Sequence, residues 1–314
     1  MIVKLTETTS AAVAAHLAEL RESGLAPALG RVFTLIVVVP EAAEVEAALA
    51  VTTQASKEHP CRVIVVSGTC VEGDNEPQAG VLDAEIRVGA EAGASDVVIL
   101  HGRGDVGSPQ TLVTPLLLPD SPIVVWWPTD PPLSPSSDPL GRIAHRRITD
   151  SRETADPVAR LRELANQYVP GDSDLSWSGV TLWRAMLVLA ASEPPLSAIT
   201  GVDLYGNGQH PAMRMIGAWL ALKLDVEVRM HQVAGAATIC RVELHRQGGD
   251  VVLDRVDGSP TAVLSRPGVP DVRVVLPRRA TADCLMEELR RLDVDATYGQ
   301  VITTGLDKVA EVVL

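Results

Sequence analysis

Four short, continuously apolar runs rich in β-branched residues constrain the fold of this chain more than any other feature. They read VFTLIVVV, CRVIVVSG, SDVVIL and IVVWW, at residues 32–39, 61–68, 95–100 and 123–127. Runs of this length, bounded by proline, glycine or charged residues, are typical of strands that are buried on both faces. Such strands need helices above and below them, which predicts a largely parallel sheet in an α/β layer.

Helical segments alternate with these strands. Residues 9–22 have the apolar spacing of a helix that Thr9 or Ser10 caps, and EAAEVEAALAVTTQASKE has helical composition. AEIRVG, at residues 84–89, alternates apolar and polar letters and predicts a half-buried or edge strand. We therefore expect residues 1–150 to form an N-terminal, largely parallel α/β domain.

The pattern changes after the proline- and serine-rich tract PTDPPLSPSSDP. We expect a short helix over LGRIAHRR, with Asp138 as its N-cap, and then helices at residues 157–169 and 179–191. A strand, AITGVDLYG, and another helix follow. The runs VEVRM, ATICRVELHR, DVVLDRV, TAVLSR and DVRVVLP then come at the short spacing of hairpins, before a helix, TADCLMEELRRL. The sequence thus predicts an α/β fold whose second domain, residues 151–314, is α+β with a mainly antiparallel sheet.

Charge and composition restrict the partners and the compartment that we expect. The formal net charge of −13 repels polyanions, so no nucleic acid is expected as a partner. No apolar run approaches the roughly 20 residues of a membrane span, and the first residues lack the pattern of a secretory signal, so we expect a soluble, cytoplasmic protein. Cys61, Cys70, Cys240 and Cys284 have no paired spacing, which favours buried thiols over a redox pair of Cys61 and Cys70.

The motif GRGDVG suggests an alternative function. Gly102, Gly104 and Gly107 satisfy the GxGxxG pattern of dinucleotide sites directly after a predicted strand, and Asp130 falls about where a ribose-binding acid would lie. Pro115 interrupts the segment that would be the phosphate-binding helix, which favours an ordinary turn at the rim of the sheet. An NADP- or sugar-phosphate-binding enzyme or sensor is the alternative that this motif leaves open.

A second candidate for anion binding is DLYGNGQHPAMRM, in which Gly206, Asn207 and Gly208 join a strand to the N-terminus of a helix. Asn207 or Gly208 as a helix cap, with Pro211 in the first turn, explains the same letters without a ligand. The sequence has no nucleophile signature and no metal-ligand spacing, so we predict no catalytic residue, no cofactor and no metal.

Tryptophan and arginine concentrate in the middle of the chain. Four of the five tryptophans lie within residues 126–183, together with several arginines. Both residue types are enriched at the hot spots of protein interfaces. Trp126 and Trp127 are neighbours in a predicted strand and point to opposite faces, so one of them must pack beneath a helix, the linker or a partner. The residues alone leave core and interface equally open.

Three motifs in this region resemble those of the glucose-6-phosphate dehydrogenase assembly protein family, OpcA. They are LLLPDSPIVVWWP, DPLGRIAHRRITDS and YVPGDSDLSWSGVTLWRAML, and EHPCRVIVV and LYG extend the resemblance along nearly the whole chain. The resemblance implies a non-catalytic bacterial protein that binds glucose-6-phosphate dehydrogenase, the NADP-dependent first enzyme of the oxidative pentose phosphate pathway. It also implies that this protein promotes the active oligomer of the enzyme.

An activator of this kind must bind the competent state of its target more tightly than the incompetent state. We expect the contact surface to be formed or braced by the central aromatic, basic and acidic residues. These are Trp126, Trp127, Arg142, Arg146, Arg147, Asp150, Trp177, Trp183 and Arg184.

Overall fold

The strands of the chain form two β-sheets, and the four apolar runs all lie in the first of them. The computed structural model describes residues 1–23, 32–57, 60–68, 80–89, 96–192, 198–256 and 258–309. The first unit comprises Met1–Asp150, Gly171–Ser173 and Thr281–Val294, and the second comprises Ser151–Pro170, Asp174–Ala280 and Asp295–Leu314. The first unit thus includes a helix from near the end of the sequence. The division into domains at residue 150 stays a prediction.

The strands are β1 (Ile2–Leu5), β2 (Thr34–Val39), β3 (Arg62–Ser67), β4 (Val81–Arg87), β5 (Asp96–Arg103), β6 (Ile123–Trp127), β7 (Arg146–Thr149), β8 (Asp172–Asp174), β9 (Ile199–Gly206), β10 (Val228–Gln232), β11 (Ile239–Arg246), β12 (Val251–Asp254), β13 (Thr261–Arg266) and β14 (Val269–Val275). The helices are α1 (Ser10–Glu22), α2 (Val45–Ala55), α3 (Pro109–Val113), α4 (Pro157–Asn166), α5 (Leu175–Gly179), α6 (Thr181–Ser192), α7 (Pro211–Leu224), α8 (Thr281–Arg290) and α9 (Ala296–Gln300).

The sheet of the first unit has the strand order β1-β4-β5-β3-β2-β6-β7-β8 over the described residues. The pairs β5–β3, β3–β2, β2–β6 and β6–β7 are parallel, whereas β4 runs antiparallel to both β5 and β1. Numbered along the chain, the five parallel strands lie in the order 3-2-1-4-5, which is the order of a doubly wound nucleotide-binding sheet. The prediction of an α/β fold with a largely parallel first sheet is confirmed.

Helices cover both faces of this sheet. Val13 and Leu17 of α1 pack against sheet residues such as Ile36 and Ile64, in one buried apolar cluster. Helix α2 contacts β2 and β3 and also packs against α8. The side chain of Thr9 accepts a hydrogen bond from the Ala12 amide at 3.2 Å, so the predicted N-cap of α1 is confirmed.

The helix predicted over LGRIAHRR is wrong. The chain makes one 3₁₀ turn at Gly141–Ile143 and then extends into β7, which pairs in parallel with β6. A Cβ atom on Gly141 would lie 1.7 Å from the carbonyl oxygen of Pro135, so the close approach of the linker requires glycine here. The Asp138 carboxylate accepts hydrogen bonds from the amides of Leu140 and Gly141, but no α-helix follows.

The second unit contains the predicted mainly antiparallel sheet, in the order β10-β9-β11-β12-β13-β14 over the described residues. The pair β10–β9 is parallel and the other pairs are antiparallel. One face of the sheet packs against α7, with Leu204, Met230 and Val242 fully buried. The helix predicted at residues 179–191 is confirmed as α6, and a short helix that the sequence did not predict, α5, precedes it with Asp174 as its N-cap. Among the described residues, no helix combines the length and the apolar character needed to cross a bilayer.

Candidate functional site

Two of the four arginines predicted to contact a partner, Arg146 and Arg147, are buried in the first unit. Arg146 is 2% exposed, and its guanidinium donates to the Glu288 carboxylate of α8 at 2.5 Å, to the Asp293 carbonyl at 2.9 Å and to the Ser173 hydroxyl at 3.2 Å. Arg147, at 7% exposure, forms a salt bridge with Asp172 of β8. These contacts satisfy two charges that would be costly to bury alone.

The tryptophan pair of β6 is also buried. Trp127 joins the apolar cluster beneath α1, together with Leu140 of the linker. Trp126 is 1% exposed and points to the opposite face of the sheet. Asp150 is buried, whereas Arg142, on the 3₁₀ turn, is exposed.

The remaining predicted residues pack within the second unit. The guanidinium carbon of Arg184 lies 3.5 Å from the ring centroid of Trp177, a cation–π contact. The Trp177 indole N–H donates to the Asp295 carboxylate at 2.8 Å. Trp183 is 3% exposed, with Arg255 above its ring at 5.1 Å.

Burial limits what these residues do. A side chain without solvent exposure does not touch a partner in this conformation, so seven of the nine predicted residues are positioned to brace the fold. Arg184 is half-buried, and Arg142 is the exposed member of the set. A role of the set in partner binding stays a prediction.

The position where a doubly wound sheet binds nucleotides is acidic in this chain. Ligands of such sheets lie at the carboxyl ends of the strands where the order reverses, here β2 and β6. The turn after β2 reads PEAAE, with no glycine, and Glu41 and Glu44 form a reciprocal capping box at the helix start. The Thr129 hydroxyl, after β6, donates to the second Glu44 oxygen at 3.0 Å. Two carboxylates thus lie where a pyrophosphate would need backbone N–H groups, and they would repel it.

The GRGDVG motif follows β5 rather than β2. Gly104 and Gly107 have φ angles of +69° and +84°, so this turn needs glycine for its backbone conformation. The Gly107 amide donates to the Asp105 carboxylate at 3.0 Å, and Arg103 forms a salt bridge with Asp83 at 2.7 Å. The groups that would hold a phosphate are engaged within the chain, in keeping with a turn at the rim of the sheet.

The polar groups of the loop before α7 likewise form hydrogen bonds within the chain. Asn207 accepts the Gln209 amide at 3.0 Å, and the Gly208 amide donates to the Gln232 side chain at 2.8 Å. The N-cap is His210, not Asn207 or Gly208, and its Nδ1 accepts the Ala212 amide at 3.1 Å. Burial, followed by the positive charges of Arg152 and Arg278, lowers the pKa of His210 to about 4.

Sequence reasoning missed a cluster on the second sheet. The face of this sheet opposite α7 carries alternating polar residues of β9, β10 and β11, which we call the polar sheet face: Asp203, Tyr205, Arg229, His231, Arg241, Glu243 and His245. Both oxygens of Asp203 are engaged, by His231 Nε2 at 2.8 Å and by His245 Nε2 at 2.7 Å. The partners are 28 and 42 residues away in the sequence, and only strand alternation could have indicated a shared face.

Charges on the polar sheet face shift each other's titration. Burial disfavours the charged form of Asp203, but the hydrogen bonds from His231 and His245 outweigh burial and hold the pKa of this carboxyl below its usual value. The hydrogen bond to Asp203, with a further contribution from Asp250, raises the pKa of His245. His231 also stacks on Tyr205, with 4.7 Å between ring centroids.

The cysteines lie where structural thiols are expected. Cys61 and Cys284 are fully buried and Cys240 is half-buried. Cys70, the other half of the weighed redox pair, lies outside the described residues.

Comparison with solved structures gives only weak likenesses. An oxidoreductase from Thermotoga maritima is 11% identical, with a TM-score of 0.39 over 88% of this chain and 94% of that one. UDP-N-acetylglucosamine 3-dehydrogenase from Acidithiobacillus ferrooxidans is 12% identical, with a TM-score of 0.37 over 87% of this chain and 95% of that one. At these scores neither likeness supports a conclusion about this protein.

Comparison of sequences identifies the family. A Synechococcus elongatus protein named "Putative OxPP cycle protein OpcA" is 27% identical over 221 residues, which are 65% of this chain and 48% of that protein. The chain therefore spans about half the length of this curated relative. Residues 52–166 match the family model described as the glucose-6-phosphate dehydrogenase subunit N-terminal domain, and residues 170–302 match the corresponding C-terminal domain. With two consecutive models of one family matched in order, the chain belongs to the glucose-6-phosphate dehydrogenase assembly protein family, OpcA.

Proposed function

We propose that this protein binds glucose-6-phosphate dehydrogenase in the cytoplasm and favours its active oligomer, without catalysing a reaction itself. The observation that carries the proposal is the match of both OpcA domain models along residues 52–302, apart from 167–169. The proposed activity supports the first step of the oxidative pentose phosphate pathway, in line with the printed name of the Synechococcus relative.

The acidic position between β2 and β6 where the strand order reverses, here called the switch point, supports a role other than dinucleotide chemistry. Glu41 and Glu44 lie on the 3₁₀ turn directly before α2, where a doubly wound enzyme would hold a pyrophosphate. In the glycine turn that follows β5, the Gly107 amide donates to the Asp105 carboxylate instead of to a ligand. Both features favour a partner-binding protein over the NADP-binding alternative.

The energetic requirement on such an activator is modest. A preference of about 1.4 kcal/mol for the active oligomer changes the ratio of active to inactive enzyme tenfold. One exposed arginine at a desolvated contact can supply this amount. We place Arg142 at or near the contact, and we assign to Arg146, Arg147 and the buried tryptophans the role of bracing the backbone beneath it.

The test uses the purified full chain and purified glucose-6-phosphate dehydrogenase from the same source. Sedimentation velocity measures particle mass for each protein alone and for the mixture, and NADPH absorbance measures enzyme activity in the same samples. We expect a heavier species and a higher rate in the mixture. Two proteins that sediment independently, with an unchanged rate, would refute the proposal.

Calorimetry tests the alternative function, that of an NADP- or sugar-phosphate-binding enzyme or sensor. The isolated chain is titrated with NADP⁺, NADPH and glucose 6-phosphate, each against a buffer blank. We expect no binding in the micromolar range, because carboxylates occupy the switch point. Micromolar binding of either nucleotide would favour an NADP-dependent enzyme or sensor.

A further inference from the structure

Two carboxylates face each other directly across neighbouring strands of the polar sheet face. Asp203 of β9 is the antiparallel register partner of Glu243 on β11. Their side chains are 12% and 14% exposed, so both charges are partly removed from water. Like charges directly opposite in a sheet are destabilising unless positive groups neutralise them. The placement therefore favours positively charged groups beside the two carboxylates, whether side chains or a metal ion.

Two imidazoles complete the cluster from either side. His231 on β10 and His245 on β11 direct Nε2 to the two oxygens of Asp203, and they are 30% and 27% exposed. Ligand atoms of Asp203, Glu243 and His245 all lie within 4.8 Å of one another. These three residues combine nitrogen and oxygen donors on two adjacent strands, β9 and β11, that hydrogen bonds hold in register.

We propose that Asp203, Glu243 and His245 bind one divalent transition-metal ion, and that Zn²⁺ is the best match. Imidazole nitrogen together with carboxylate oxygen suits zinc and similar ions, whereas magnesium and calcium take oxygen ligands. Zinc bonds of about 2.0–2.2 Å in tetrahedral geometry place ligand atoms roughly 3.4 Å apart. The His245–Asp203 pair, at 2.7 Å, then needs to open by about 0.7 Å, which a small side-chain rotation accomplishes.

The surroundings of His245 fit a metal ligand. Its second ring nitrogen, Nδ1, lies 3.1 Å from the Asp250 carboxylate. A ligating histidine commonly donates its other N–H to a carboxylate, which fixes the tautomer and turns Nε2 toward the metal. Asp250 would hold His245 in this way.

Two arginines border the cluster and compete with a metal ion for the two carboxylates. Arg241 forms a salt bridge with Glu243, and the Arg229 guanidinium lies 3.9 Å from Asp203. Each carboxylate has two oxygens, so Glu243 can keep Arg241 on one oxygen while the other ligates the ion. Arg229 and Arg241 are 53% and 41% exposed and can swing toward solvent.

The experiment uses the full chain without an affinity tag, after treatment with a chelator. Calorimetry at pH 7.5 follows titration with ZnCl₂, and the visible absorbance of a CoCl₂ titration reports the coordination geometry. We expect one zinc ion per chain with micromolar or tighter affinity, an intense tetrahedral cobalt band and a rise in Tm with zinc. MgCl₂ should give none of these responses.

Variants assign the site. Asp203→Asn, Glu243→Gln and His245→Ala should each weaken zinc binding at least about tenfold and reduce the cobalt band. His16→Ala removes an exposed histidine of α1 and serves as the matched control with unchanged binding. Glu243→Gln preserves side-chain shape, so it tests the site even where His245→Ala unfolds the sheet. The inference is overturned if wild-type protein ignores millimolar zinc, or if folded Glu243→Gln binds zinc as tightly as wild type. These measurements do not involve glucose-6-phosphate dehydrogenase, so their outcome is independent of the proposed function.

Discussion

Arg146 carries a buried positive charge that Glu288 neutralises from a residue 142 positions away in the sequence. Arg146→Ala leaves the carboxylate of Glu288 buried without this partner. Loss of one member of a buried pair destabilises proteins by about 3–5 kcal/mol. We expect a loss of this size in the free energy of unfolding, measured by urea denaturation. Arg142→Ala, at an exposed arginine of the same segment, is the control and should change stability by less than about 0.5 kcal/mol.

His210 gives stability a pH dependence of known sign. Its folded pKa of about 4 lies below the ordinary value near 6.5, so the unfolded chain takes up the proton first as pH falls. The contribution of neutral His210 to the free energy of unfolding is fully present above pH 6.5. It is lost as the pH falls from about 6.5 to 4, and the total loss is about 3 kcal/mol. Protonation would also remove the Nδ1 acceptor that caps α7.

His210→Asn keeps a capping acceptor that does not titrate in this range. Urea denaturation of both proteins at several pH values from 7 to 4 isolates the histidine, because all other groups titrate in both. We expect the variant to lose less stability on acidification than the wild type. Equal slopes would contradict the lowered pKa.

At the scale of elements, one carboxylate organises the start of α5. Asp174 caps the helix by accepting the Ser176 amide at 2.9 Å, and it also accepts the amide and the hydroxyl of Ser151 at 2.9 and 2.8 Å. Asp174→Ala leaves these buried donors without their acceptor, at about 1–3 kcal/mol for each unsatisfied group. We expect a loss of at least about 3 kcal/mol in urea denaturation. Asp156→Ala removes an exposed N-cap, that of α4, and should cost only about 1 kcal/mol; similar losses for both would show that burial adds nothing.

The strands β2, β3 and β6 could be predicted because continuous β-branched runs leave few alternatives to a strand buried on both faces. Strand β7 could not. Its letters, RRIT, look like the end of a basic helix, and they become a buried strand only because Glu288 and Asp172 supply counter-charges from distant segments. Because these counter-charges lie far away in the sequence, the letters of Arg146 and Arg147 suggested an exposed surface. The polar sheet face was missed because each of its strands alternates in an ordinary way, and the cluster exists only across strands.

At the scale of the whole molecule, a dinucleotide-binding strand order is combined with an acidic switch point. A fold does not fix function, because function depends on the residues at the site. Here the residues at the switch point, Glu41 and Glu44, oppose binding of a pyrophosphate. The strand order of the first unit is therefore compatible with the partner-binding role proposed from the family.

Stimulation of glucose-6-phosphate dehydrogenase distinguishes contact residues from bracing residues. Arg142→Ala should weaken binding about tenfold at unchanged Tm, since an exposed arginine acts directly. Arg273→Ala, at an exposed arginine of β14, is the matched control with unchanged binding. The double variant Arg146→Ala/Arg147→Ala should lower Tm sharply. Assayed at a low temperature where circular dichroism shows it folded, it should stimulate the enzyme within about twofold of wild type, because a bracing role acts through folding. A folded double variant that fails to stimulate would place these guanidinium groups at the contact itself.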